Sequence, residues 1–256
     1  MIPSIGVVIV GIIGLLMIKD TPEEKGQYPD NVTKEEYEEF YFTHKDEEAT
    51  RGWTTKKLLA ERELWLSAVT TGIFQLVTVG VMTQLVVRNM QLSFTQVQAI
   101  SIMTFLAAIG VLGSWLFGVI DTKFGTKISM IIFAVWYIVA LGLNITETKF
   151  GIYSSIFMIG MAIGGSANFT TSLPAAIFGR FGFEKVNSVV FPIQGIITSL
   201  NFLLSGISIK LMGSLRGVYI VFIIILIANV FLIKMVDEHK FNKDFTLIGR
   251  VNNLFD

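Results

Sequence analysis

The chain has 256 residues, a formal net charge of zero and no cysteine. Its mean hydropathy is +0.65, and charged residues make up only 16%, where soluble domains carry about 25%. These values exclude a soluble globular domain, a disulfide framework, a thiolate metal site and a cysteine nucleophile. The lack of any basic surface domain argues against nucleic acid as a partner.

Seven uncharged runs alternate with charged hinges: Met1–Ile18, Leu64–Val87, Asn89–Ile120, Ile128–Thr146, Phe150–Gly179, Val186–Ile209 and Gly217–Ile233. A helix rises about 1.5 Å per residue, so about 20 apolar residues cross the ~30 Å hydrocarbon core. The run lengths predict an all-α integral membrane protein with about seven transmembrane helices. Met1–Ile18 lacks the basic start and small-residue cleavage site of a signal peptide and reads as a first span. Residues 19–63 form a charged loop, in which Thr33–Ala49 spaces Tyr37, Phe40, Tyr41 and His44 at helical intervals among glutamates. That pattern predicts a solvated or interfacial linker helix. Residues 64–236 hold the remaining six spans, and 237–256 form a tail. His44 and His239, the only histidines, fall in the loop and the tail, and neither is expected to serve as a ligand or base. No metal site and no cofactor is expected.

With the hinges assigned alternately to the two sides, one side receives sixteen Lys and Arg and the other four: Arg88, Lys149, Lys210 and Arg216. Positive charge near span ends stays in the cytoplasm. The expected topology is multi-pass in the cell membrane, N-terminus outside, with residues 19–63 and the tail cytoplasmic.

Leu64–Thr146 and Ile152–Val236 hold three spans each. Two units with an odd number of spans must be inserted in opposite orientations, so a 3+3 inverted repeat of the kind built into secondary transporters is expected. Polar residues concentrate in the first, second, fourth and fifth of these spans and fall in stripes. Ser67, Thr71, Gln75 and Thr78 share one helix face; Gln194, Thr198, Asn201, Ser205 and Ser208 share another. The candidate cavity residues are Thr71, Gln75, Thr78, Thr104, Asn168, Thr171, Gln194, Thr198 and Asn201. An unsatisfied amide in hydrocarbon costs several kcal/mol, so Gln75, Asn168, Gln194 and Asn201 are expected to face water. Each single Ser or Thr also fits an interhelical packing role, and Gly160-x-x-x-Gly164 allows close helix approach. The third and sixth spans, nearly free of polar residues, are expected to face lipid. Pro174 and Pro192 predict kinks.

The hinge Gly118-x-x-Asp121-x-Lys123-x-Gly125-x-Lys127 resembles the signature that the major facilitator superfamily carries between its second and third helices and, more weakly, between its eighth and ninth. Its place here fits the second copy. The resemblance implies a gating hinge: the glycines permit tight approach and a sharp turn, Asp121 complements a helix N-terminus, and Lys123 and Lys127 hold the hinge in the cytoplasm. Ile18–Asp30, Ser172–Arg180 and Asn187–Pro192 are similar to the oxalate/formate antiporter family. The resemblance implies the C-terminal part of that architecture. Met1–Ile18 would then be equivalent to helix six, residues 19–63 to the central loop, and 64–236 to helices seven to twelve. Helices one to five would be missing partners. It also implies a secondary active transporter for a small solute, an organic anion such as a mono- or dicarboxylate, working by alternating access in the lipid bilayer. The family's dicarboxylate exchangers place a basic residue within the eighth and eleventh helices. Val97–Ile120 and Val186–Ile209 contain no Lys, Arg or His, so a monocarboxylate, a neutral solute or an anion neutralised from the missing helices fits equally. The alternative is a non-transporting multi-span sensor, scaffold or subunit. An enzyme is not expected, because no intramembrane carboxylate, histidine or metal-ligand set would support chemistry.

Overall fold

The computed structural model describes residues 33–35, 52–179 and 182–241. The chain divides into two units, residues 1–52 and 53–256. The first expected span, most of the 19–63 loop with His44, the similar segment Ile18–Asp30 and the end of the tail lie outside the described residues.

The second unit is helical throughout its described part. After a short α1 (Thr55–Ala60) come α2 (Arg62–Gln91), α3 (Gln96–Phe124), α4 (Thr126–Ile145), α5 (Lys149–Ser166), α6 (Phe169–Phe178), α7 (Phe183–Met212) and α8 (Leu215–Lys234). Five of these are long and apolar enough to cross a membrane, and α5 with α6, bent by 42°, makes a sixth span. The chain is thus a multi-pass membrane protein.

Local chemistry sets the boundaries. The run of charges suggests a hinge at Arg88, yet α2 continues to Gln91. The turn falls at Ser93, whose φ of 71° is left-handed. A capping box then starts α3: Thr95 Oγ1 accepts from Gln98 N at 3.3 Å, and Gln98 Oε1 accepts from Thr95 N at 2.9 Å. Arg88, counted from sequence among the hinge charges, is instead only 2% exposed. Its guanidinium donates to Asn144 Oδ1 at 2.9 Å and to Glu147 Oε1 at 3.0 Å, so the buried charge is paired.

The fourth span breaks at Ala167–Asn168 rather than at Pro174, which lies inside α6. Pro192 sits within α7, which is assigned as one helix from Phe183 to Met212.

The packing follows the repeat. The second helix of each triplet packs most extensively on the first helix of the other, α3 on α5 and α7 on α2, and the third helices α4 and α8 pack on each other. An aromatic cluster fills the centre: Phe133 meets Phe74, Phe117 and Phe169 edge-on, with ring centroids 4.8, 4.9 and 5.2 Å apart. The lipid-facing expectation for the third and sixth spans therefore applies to one stripe of each. Ile128, Ile132, Val135 and Val139 on α4, and Ile220, Ile224, Ile227 and Phe231 on α8, are exposed; Phe133, Tyr137, Tyr219 and Phe222 are fully buried. A helix without polar residues still needs a partner face to hold the bundle together.

Candidate solute pathway

Among the five single-helix spans, α3 and α7 are the least buried inside the unit, and each lines one of two hollows. The first, of about 580 Å³, is lined by Gln75 and Val79 of α2, Thr170 of α6 and a long stretch of α7 that includes Gln194, Thr198 and Asn201. The second, of about 820 Å³, lies along α3 and is lined by Ser114, Trp115, Gly118 and Asp121, with Asn168 and Thr171 from the α5–α6 break. Thr170 and Thr171 are neighbours in the first turn of α6, so the break contributes to both.

Asn168 holds that break in place. Its Nδ2 donates to Ser114 O at 2.8 Å, and its Oδ1 accepts from Ser114 Oγ at 3.1 Å. With this side chain committed to α3, α6 starts without a side-chain cap. Gln75 Nε2 donates to Ser166 O at 3.3 Å, fixing α2 to the end of α5. Gln194 Nε2 donates to Thr71 Oγ1 at 2.6 Å, and Asn201 Nδ2 donates to Thr198 O at 2.7 Å.

Six of the nine residues singled out from sequence line a hollow: Gln75, Gln194, Thr198 and Asn201 the first, Asn168 and Thr171 the second. Thr71 is buried behind Gln194. Thr78 is 4% exposed, in the interior, and Thr104 sits exposed on α3; neither lines a hollow. Ser114, Phe191 and Phe202 were missed. Ser114 had a legible signal, being a polar residue in an apolar span, whereas the two phenylalanines look like any other membrane-facing residue.

The signature hinge divides in two. Gly118 and Asp121 belong to the second hollow, where Asp121 Oδ1 is buried without a hydrogen-bond partner. Gly125 ends α3 with φ of 83°, a left-handed conformation that glycine adopts without strain. Being glycine, it cannot cap α4 with a side chain. Glu238, 111 residues beyond Lys127, does so instead: its Oε2 accepts from Lys127 N at 2.8 Å, while Lys127 Nζ donates to Val236 O at 2.7 Å. Lys123 is exposed, 5.5 Å from the Phe124 ring centroid. The segment after α8 laces the same end of the bundle. Asp237 N donates to the buried Glu63, Arg62 donates to Met235 O, and Phe241 stacks on Phe178. Among the described residues there is no cluster of His, Asp and Glu able to hold a metal ion.

Six apolar spans in two triplets of opposite orientation, hollowed along α3 and α7 and threaded with amides, define a polytopic membrane protein with polar recesses in its spanning part. The family comparison is more specific. Residues 1–200 match the model of the Major Facilitator Superfamily, and the chain belongs to that superfamily, whose members are transporters. No curated protein and no solved structure matches it.

Proposed function

We propose that residues 64–236 form the C-terminal half of a secondary transporter, with Met1–Ile18 as helix six and residues 19–63 as the central loop. It would move a small organic anion, a mono- or dicarboxylate, by alternating access. A complementary set of helices, equivalent to one to five, would close on the face formed by α3 and α7. The hinge end, with Gly125 and the α8 tail, would lie in the cytoplasm, the side that the sixteen-to-four charge bias favours. The hinge would gate that end, with the Glu238 cap on α4 as a local contact that can break and re-form.

One observation carries this reading: amides from both halves of the repeat line hollows along the two spans left least covered by the rest of the unit. Polar groups placed on lipid would be costly, whereas a water-filled cavity between two halves accommodates them. No Lys, Arg or His lines either hollow, so the charge that neutralises the anion would come from the complementary helices.

The test is flux together with accessibility. The cysteine-free chain is reconstituted in liposomes with its complementary helices, and uptake of labelled small carboxylates is measured. Cysteines at Thr171 and Ser199 are expected to react with a water-soluble maleimide at least tenfold faster than cysteines at Val139 or Ile224. Equal reactivity, together with no uptake, would leave a non-transporting membrane subunit as the better reading.

A further inference from the structure

We infer that the hollow between α2, α6 and α7 is an acceptor site: it receives a hydroxyl donated by the solute, with Asn201 Oδ1 as the principal acceptor. The transported organic acid would then be a hydroxy acid. This rests on the proposed function and narrows it.

The inference follows from the directions in which the lining groups are already bonded. Ser166 O and Thr198 O are backbone carbonyls, which only accept, so the groups facing them at Gln75 and Asn201 must be the amide nitrogens. Thr71 Oγ1 uses its proton on Ser67 O at 2.6 Å. It too can only accept, which fixes the nitrogen of Gln194. In all three residues the carbonyl oxygen has no partner, while each amide nitrogen uses one of its two protons; the acceptor that lies buried without a partner is Asn201 Oδ1. The hydroxyls of Thr170 and Ser199 donate back to Ala167 O and Ile196 O, each at 2.7 Å, and present only lone pairs to the hollow. Among the polar side chains lining it, only Thr198 has a hydroxyl proton not committed to a bond.

Asn201 makes the arrangement a site rather than a rim. It is 1% exposed, lines the hollow, and its Oδ1 is buried with no hydrogen-bond partner. A buried acceptor left unmatched is unfavourable and calls for a donor. A bare cation would also be attracted to oxygens. Yet no carboxylate lines this hollow, and Val79, Phe191 and Phe202 make up much of its wall, an environment in which dehydrating a charge is expensive. A neutral hydroxyl meets both the acceptor and the apolar wall. The carboxylate of the same molecule would lie outside the hollow, towards the complementary helices.

The experiment uses Gly195→Cys as reporter in the full chain in lipid nanodiscs. Gly195 lines the hollow, open space surrounds its missing Cβ, and the chain has no other thiol. Maleimide labelling is followed with acetate, glycolate or glycerol, and with sodium or choline as the cation. Glycolate differs from acetate by one hydroxyl and is expected to half-protect at a concentration at least tenfold lower. Adding Asn201→Leu, close to isosteric, is expected to abolish that difference while the unliganded labelling rate stays the same, which shows that the hollow still folds. Equal protection by acetate and glycolate, persistence of the difference in Asn201→Leu, protection by sodium alone, or no protection by any solute would each overturn the site. In the liposome assay, uptake of acetate and glycolate at equal rates would overturn it and leave the anion-transport reading intact. Glycerol protecting as well as glycolate would keep the donor assignment and remove the organic anion.

Discussion

The repeat relates two helix pairs that solve the same packing problem by different means. Where α3 crosses α5, the contact is backbone on backbone. A Cβ on Gly164 would collide with the Gly110 carbonyl, and one on Gly113 with the Met161 carbonyl. Where α7 crosses α2, side chains reach across: Gln194 to Thr71 and Gln84 to Ser205. Glycines are present on that side too, but Gly195 and Gly206 on α7 have nothing within 4 Å of an added Cβ. One pair relies on dispersion and close approach, the other on amide hydrogen bonds, and both are recognised means of holding helices together without a hydrophobic driving force. The pair joined by side chains borders the first hollow, and the second lies along α3 of the close-packed pair, beyond the glycine contacts and beside the α5–α6 break.

The largest effect is expected from Gly164→Val. Neither backbone can retreat without unpacking the whole crossing, so the cost is expected to exceed the 1–3 kcal/mol typical of overpacking. Thermal unfolding in detergent would show it as loss of the folded bundle, and a variant unfolding within a few degrees of the parent would mean that the crossing is loose. Gln194→Leu tests the other pair. Deleting one interhelical hydrogen bond in a membrane protein costs roughly 0.6–2 kcal/mol, so the bundle is expected to stay folded with a modest drop in midpoint. A loss equal to that of Gly164→Val would make the amide as indispensable as the glycine. The smallest effect is expected from Gly206→Ala, where open space surrounds the new methyl and helix propensity favours alanine by roughly 0.5–1 kcal/mol. A clear loss of stability there would reveal a partner surface pressed against α7.

The stripes holding Gln75 on α2 and Gln194 with Asn201 on α7 were legible because a period of 3.6 residues groups the polar positions of each helix on one of its faces, and Gly160-x-x-x-Gly164 was legible as a close-approach motif. Thr78 belonged to the same stripe and was misjudged with it: its helix turns that part of the face toward Tyr137 and the interior rather than the hollow. Periodicity identifies a face but not what it meets. The break at Asn168 was not legible either. Pro174 suggested a kink, but the chain bends where Asn168 commits its amide to Ser114, 54 residues earlier. The Glu238 cap on α4 and the burial of Arg88 by Asn144 and Glu147 are likewise contacts between distant segments with no local signature.

The pattern of apolar runs already places this chain in a membrane and groups its described spans into two triplets, because hydrocarbon forces every backbone group into helices of a set length. It also determined which residue types had to find polar company. What that company is follows from how the helices cross. Most serines and threonines that bond return their proton to a carbonyl three or four residues back on their own helix, while Gln75, Gln84, Asn168, Gln194 and Asn229 bond across helices and the shorter Asn201 bonds its own helix and leaves Oδ1 open. The physical reason is reach. A hydroxyl one bond from Cβ finds a partner within its own turn, whereas a glutamine extends far enough that its neighbour, and so its free end, depends on how the helices cross.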